Sequence, residues 1–326
     1  MFVYARDFCY YCAHMKIIDI HTHGIGGYDT KTQGPEHILK IAEIQGAHGV
    51  AEIMPTIYSS PIKEMRGNMA AVKKAMEIQK EGIGGREQKV KNSSGFGVQS
   101  SETKSSSLIA HNSSLIVGTH LEGPFLNPSR RGALDGISFL QPTEYNLKKL
   151  IEGFEDMIKI ITIAPELKDT VKLIKTISDM GIIVSMGHSD ATYTEAEAGF
   201  HAGAKGITHI FNAMRGFHHR EPGITGFGLL NKDVYIEVIG DPYHLSPKTI
   251  ELVFKIKNPK KIIIVSDSVK DTKISSTTRG VTDSHGKLLG GSITVTESAR
   301  RLIKMGFDKK VIMQCISKNP ASYLYK

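Results

Sequence analysis

The sequence predicts an α/β fold, a (β/α)8 barrel, and three observations carry that expectation. Eight short segments rich in isoleucine and valine recur along the chain, mostly separated by stretches with helical spacing of apolar residues. These segments are apolar almost throughout rather than alternating, the mark of parallel strands covered on both faces. Several run directly into a histidine, glutamate or aspartate, and in strand-helix-strand folds ligand-binding groups collect at the carboxyl ends of strands. A length of 326 residues accommodates one such barrel, whose usual size is about 250 residues.

Residues 17–20 form the first convincing strand, which runs into His21-Thr22-His23-Gly24. On an extended chain residues i and i+2 point the same way, so both imidazoles can enter the barrel mouth together. A helix over 36–49 leads to a second strand at 50–54, and Pro61, well placed for a first helical turn, opens a helix expected to run to about residue 80. Residues 82–114 are polar and rich in Ser, Gly and Lys. That composition buries little apolar surface and predicts an exposed, mobile insertion. The third strand opens at 114 and leads into Gly118-Thr119-His120-Leu121-Glu122-Gly123-Pro124-Phe125. Gly123-Pro124 stops it, because proline has no ladder donor, which puts Glu122 at the strand's carboxyl end.

The second half repeats the alternation. Strands are expected at 158–163, at 182–186 ending in Gly187-His188-Ser189, and at 206–210 carrying His209. Two more follow at 234–239, before Asp241 and His244, and at 261–265, before Ser266-Asp267-Ser268. Helices are expected at 143–154, 167–180, 192–202 and 247–257, a hairpin turning at Ser284-His285-Gly286 over 280–290, and closing helices at 294–305 and 309–317. The domain reading is a short N-terminal segment, 1–16, followed by one barrel domain, 17–326.

Composition narrows the function classes. No apolar run is long enough to span a membrane, and the first sixteen residues hold Arg6 and Asp7 with no apolar segment between flanks, unlike a secretory signal. The net charge of +8 favours anionic ligands. Tryptophan is absent and no dense basic run is interleaved with aromatics, which argues against nucleic acid. Three cysteines, Cys9, Cys12 and Cys315, build no disulfide framework, so a reducing cytoplasm is expected. Cys9-x-x-Cys12 with His14 lacks the second pair a structural zinc site needs.

His21 with His23, Glu122, His188 and His209 then stand at or near the ends of four strands, and neutral imidazoles with a carboxylate are the donor set of a catalytic zinc or iron site. A lone buried histidine is more often simply hydrogen-bonded, and Asp267 alone could be a helix N-cap. Together, in this order, they point to a metal-dependent hydrolase in which a carboxylate such as Asp267 accepts a proton and later delivers it to the leaving group.

With those motifs goes a resemblance. His21-x-His23-Gly24, His120-Leu121-Glu122-Gly123-Pro124-Phe125-Leu126, Ala164-Pro165-Glu166, Gly187-His188-Ser189-Asp190-Ala191-Thr192 and Thr208-His209-Ile210-Phe211-Asn212-Ala213-Met214 resemble the amidohydrolase superfamily. Within it they resemble the N-acetylglucosamine-6-phosphate deacetylase family, as do Arg220-Glu221-Pro222-Gly223, Asp241 with His244, Ser266-Asp267 and Asn319-Pro320-Ala321. The resemblance implies an essential divalent metal, zinc or iron, on Glu122, His188 and His209, with His21 and His23 available to a second, and Asp267 as acid/base. It implies substrate contacts from Ala133, Asn212, Ala213, Arg220, Asp241, His244 and the hairpin segment Leu288, Leu289 and Gly290. It also implies a homodimer in which Arg220 reaches the neighbouring subunit's site to hold a 6-phosphate. The reaction implied is deacetylation to glucosamine 6-phosphate and acetate; another amide, such as the galactosamine isomer or a cyclic imide, and a binding protein without turnover are the alternatives.

Three departures accompany the resemblance. Where the family usually carries K-G-A-H or a glutamine variant, this chain has Arg131-Gly132-Ala133-Leu134. The family's small flanking β-sandwich is expected to be missing or vestigial here, and the 82–114 stretch is longer and more polar than in the family.

Overall fold

Isoleucine-rich strands dominate the chain because β-branched side chains fit a pleated, buried surface, and here eight of them wind into one parallel sheet. In the computed structural model, residues 15–32, 34–92, 113–274 and 280–325 are described, with backbone alone for 83–92. The barrel strands are β1 (Ile18–Thr22), β2 (Glu52–Tyr58), β3 (Thr119–Glu122) and β4 (Ile158–Ile163). They continue as β5 (Ile183–Met186), β6 (Gly206–Ile207), β7 (Tyr235–Ile239) and β8 (Ile262–Val265). Each pairs in parallel with its sequence neighbour. The ring closes between β8 and β1 through the Thr22–Ser268 bridge and the Asp267 N–H donated to the His21 carbonyl at 2.9 Å.

Helices cover the outside: α1 (Pro35–Ala47), α2 (Ile62–Asn92), α3 (Glu144–Ile151), α4 (Thr170–Asp179) and α5 (Tyr193–His201). They are followed by α6 (Gly223–Leu230), α7 (Pro247–Ile256), α8 (Val295–Lys304), α9 (Lys309–Cys315) and α10 (Lys318–Leu324). No helix among the described residues is long and apolar enough to cross a membrane.

Two cores follow from strand alternation. On β8, Ile262 and Ile264 pack outward against helices, while Ile263 and Val265 join an inner cluster with Ile18, Ile20, Met54 and Ile160. The amino-terminal end of the barrel is sealed by α10. Tyr323 enters the inner cluster, its ring centroid 4.9 Å from that of Tyr235. Asn319 donates from Nδ2 to the Pro259 and Ile262 carbonyls at 2.7 and 2.6 Å. The Asn319-Pro320-Ala321 motif is thus a structural staple.

The structure corrects several boundaries. Helix α2 runs through Asn92 instead of stopping near residue 80. Once nucleated, a helix extends at little cost, and Arg86, Glu87, Gln88 and Lys89, which follow the glycines at 82, 84 and 85, are good helix formers. The rest of the polar insertion, 93–112, lies outside the described residues, as do Cys9, Cys12, His14 and the start of the chain. The strand expected from 114 is two pieces: Leu115–Ile116 pairs only with β2, and β3 begins after Gly118. Gly118 has φ +152°, and a Cβ there would meet the Met157 carbonyl at 2.7 Å, so only glycine makes this break. The sixth strand ends at Ile207, not 210, because His209 adopts a left-handed φ of 29° and leaves the ladder. The 280–290 hairpin is present, with Val281–Thr282 antiparallel to Leu288–Gly290.

The sealed end yields a stability test. A Cβ on Gly206 would collide with the Tyr323 hydroxyl and lie 2.9 Å from the ring's Cζ. Gly206→Ala therefore overpacks the barrel floor and is expected to cost about 1–3 kcal/mol in urea unfolding; an unchanged midpoint would show that α10 does not press on the barrel.

Candidate metal centre and active site

At the opposite end, backbone conformation aims the functional side chains. Among the described residues six non-glycine residues have positive φ, and five of them, His188, His209, Phe211, Ala213 and Asp267, sit at the carboxyl ends of β5, β6 and β8. Left-handed conformations cost of order 1–3 kcal/mol for such residues and concentrate at functional sites. Here each breaks the strand's alternation at its last turn, so His188, His209 and Asp267 bend into the barrel mouth.

The side chains converge closely. His188 Nε2 and His209 Nε2 each lie 3.0 Å from Glu122 Oε1 and 3.2 Å from each other. His21 Nε2 lies 3.2 Å from His23 Nε2, 3.5 Å from Glu122 Oε1 and 3.3 Å from Asp267 Oδ1. His23 Nε2 is 3.4 Å from Glu122 Oε2 and 3.5 Å from Asp267 Oδ1. The five-residue metal set expected from sequence and Asp267 therefore form one buried cluster.

The other ring nitrogens fix the chemistry. His188 Nδ1 is 3.0 Å from the Arg130 carbonyl, His23 Nδ1 is 3.0 Å from the Thr56 carbonyl, and His21 Nδ1 is 2.9 Å from Glu237 Oε2. Carbonyls and carboxylates only accept, so these three Nδ1 atoms carry a proton, and each ring, when neutral, turns an Nε2 lone pair inward. Lone pairs facing each other and a carboxylate at about 3 Å repel unless a proton or a cation lies between them. His21, Glu122 and His209 group closely enough to hold a metal ion, as do His21, His23 and Asp267. The donor set fits a divalent cation.

The electrostatics point the same way. Burial opposes charge on His21, but Asp267, Glu122 and Glu237 outweigh it and raise its pKa well above the ordinary imidazole value. Burial likewise opposes ionisation of Glu122, and the surrounding His188, His209 and His21 still hold it well below the usual carboxylate range. The pocket is built for positive charge at its centre.

Above the cluster opens a cavity of about 690 Å3, lined by His23, Glu122, His188, His209 and Asp267 at its base. Ala133, Asn212, Ala213, His244 and Leu288–Gly290 form its walls, and Leu134, 8% exposed, lines it too. His21 is wholly buried beneath the base. Asp241 does not line the cavity; it is fully buried behind His244, accepting from its Nδ1 at 3.0 Å and from Ser292 N at 3.0 Å. Burial opposes its charge, but His244 and nearby backbone N–H groups hold its pKa below the usual range. Arg220 is exposed and outside the cavity.

Sequence reasoning missed three features. Glu237 gave a signal, a carboxylate inside the apolar strand Tyr-Ile-Glu-Val-Ile, where an ionised side chain is costly without a partner. Tyr58, stacked on His23 at 3.9 Å between centroids and 12° between planes, gave none. The Thr56 and Arg130 carbonyls gave none either, since any residue offers one.

No protein-family model matches the chain. An N-acetylgalactosamine-6-phosphate deacetylase of Escherichia coli O157:H7 is 26% identical over 94% of this chain and 76% of its own length. An N-acetylglucosamine-6-phosphate deacetylase of Bacillus subtilis is 37% identical over 57% of this chain and 50% of its own length. A solved N-acetylglucosamine-6-phosphate deacetylase from Thermotoga maritima superposes with a TM-score of 0.74 at 27% identity, over 95% of this chain and 78% of its own. The chain is similar in sequence and in fold to N-acetylglucosamine-6-phosphate deacetylases. It spans 50–56% of the length of two of the first curated relatives it matches. The alignment with the solved relative covers nearly all of the barrel seen here.

The facing lone pairs generate a direct test. Zn2+ or Co2+ added to chelator-treated protein at about 100 times its Kd is expected to raise stability by about 2.7 kcal/mol, read as an upward shift in Tm. Glu122→Ala, which removes the carboxylate contacted by both His188 and His209, should abolish the shift; identical melts with and without metal would show that no cation belongs there.

Proposed function

We propose that this protein is a metal-dependent hydrolase that removes the N-acetyl group of N-acetylglucosamine 6-phosphate, giving glucosamine 6-phosphate and acetate. The observation that carries the reading is the convergence of Glu122, His188 and His209 within 3.2 Å of one another at the base of the cavity, with Asp267 beside them. Two of the relatives above are named for this activity.

In this reading Glu122, His188 and His209 hold an essential zinc or iron ion, and His21 with His23 serve a second. When bound, the metal polarises the acyl carbonyl and lowers the pKa of the attacking water. Asp267 supplies the proton transfers: it accepts the water's proton and returns it to the amine nitrogen as the C–N bond breaks. Burial opposes its ionisation, but His21, His23 and His209 hold its carboxyl below the usual range, so it stands ready as a base. His244, oriented by Asp241, presents its other ring nitrogen to the sugar. Asn212, Ala213 and an Arg220 contributed by a partner subunit hold the 6-phosphate, and a remote grip of this kind positions the acetyl group for attack.

N-acetylgalactosamine 6-phosphate is the second substrate to consider, because the relative covering 94% of this chain is named for it. The gluco and galacto sugars differ in the configuration of one hydroxyl, and Leu134 lines the cavity without offering any hydrogen bond.

Acetate release is measured from both phosphorylated sugars and from unphosphorylated N-acetylglucosamine with metal-analysed protein. Release that requires the phosphate and stops on chelation is expected; no release from folded, metal-loaded protein overturns the reading. Asp267→Asn should lower kcat by about 100-fold or more while substrate still binds, and unchanged turnover removes Asp267 from its role. Arg220→Ala should raise KM for the phosphorylated sugars and leave the unphosphorylated one unaffected.

A further inference from the structure

One buried carboxylate has no part in the reaction as described. Glu237 lies inside the barrel on β7, 2% exposed, and its Oε2 receives two donors from different strands. His21 Nδ1 is 2.9 Å from that oxygen, and the backbone N–H of His209 is 3.3 Å from it. Its other oxygen, Oε1, has no hydrogen-bond partner among the described residues. A buried carboxylate paired on one oxygen alone is expensive unless positive charge stands close by.

His21 is the ring that links the cluster. It belongs to each group of side chains close enough to share an ion, and its Nε2 faces His23, Glu122 and Asp267. Its ring could bind through Nε2 only with the proton on Nδ1, and Glu237 is the group that holds that proton. The same oxygen receives the N–H of His209, whose left-handed φ of 29° turns its ring toward Glu122.

We infer that Glu237 is a positioning residue of the metal centre, fixing the His21 tautomer and the His209 backbone through one oxygen so that two strands present their imidazoles as a single unit. The inference rests on the metal-centre reading above. The Glu237 charge is then compensated through the His21 ring by the cation beyond it. A competing role is direct ligation, since His21, His120 and Glu237 also lie close enough together to hold an ion.

Two substitutions separate these roles. In Glu237→Gln the amide oxygen can accept both donors that converge there, so the tautomer and the backbone contact survive without the charge. In Glu237→Leu both acceptor functions are gone. Co2+ titration of the full-length, chelator-treated protein, followed by visible absorption and metal analysis, reads affinity and coordination without turnover. Positioning predicts that the Leu variant binds about 10- to 100-fold more weakly, whereas the Gln variant keeps most of the affinity and the wild-type spectrum. A Gln variant as impaired as the Leu variant, or with an altered spectrum, overturns the inference in favour of ligation; wild-type binding by both removes Glu237 from the centre. Should the Leu variant not fold, the Gln variant's spectrum and affinity still decide between positioning and ligation. A wild-type protein that binds no Co2+ would fail the metal-centre reading itself, an outcome distinct from the others.

Discussion

The structure turns on a conflict that only a cation or added protons resolve: imidazole lone pairs aimed at one another and at carboxylates in a buried space. Three of the four rings cannot escape by changing tautomer, because a carbonyl or a carboxylate occupies each Nδ1. Such an arrangement gives up stability locally. It persists because the rings come from three strand ends, those of β1, β5 and β6, and three of them are held by separate acceptors, Glu237, the Thr56 carbonyl and the Arg130 carbonyl.

The two ends of the barrel divide that burden. At the amino-terminal end, α10 inserts Tyr323 among apolar side chains and Asn319 satisfies two carbonyls, an arrangement with no strained backbone among its residues. At the carboxyl-terminal end, left-handed residues and convergent charges accumulate. Binding and catalytic constellations commonly sit where local stability is lowest, supported by a scaffold that is stable elsewhere. Here the support reaches into the interior as hydrogen bonds from His120 to Thr162, on to Thr208 and from there to Ser185, a polar chain beneath the cluster.

Much of the barrel and the inner cluster was legible, for definite reasons. Strand count followed from isoleucine-rich segments; His21 and His23 were placed by the period of two on an extended chain and Glu122 by the Gly123-Pro124 stop, whereas the direction of Asp267 depends on a left-handed backbone that the sequence does not display. The break at Gly118 and the early end of β6 were not legible, since both depend on backbone angles set by close approach of other strands. The extension of α2 through Asn92 was hidden by glycines that an already nucleated helix tolerates. The resemblance implied Asp241 as a substrate contact; burial puts it one step back, behind the His244 ring whose Nδ1 it accepts from.

The charge of the chain also acts differently at the site than its total suggests. A net charge of +8 led to the expectation of an anionic ligand, yet the cavity rim carries Lys31, Lys270 and Lys287 against Asp29, Asp135 and Asp271. Lys31 is paired with Glu64 at 3.3 Å, and Lys287 donates to the Gly132 carbonyl. Diffuse attraction at a balanced rim of this kind is weak and easily screened. Capture of a phosphate then depends on directed donors, and Asn212 and the Ala213 backbone offer few. A guanidinium from outside the cavity would supply the missing charge in a geometry that matches phosphate. Arg220 is exposed on the loop that follows β6 and lies outside this cavity; under the function proposed above, it would come from a second copy of the chain, so the completeness of the phosphate site and the oligomeric state become a single question.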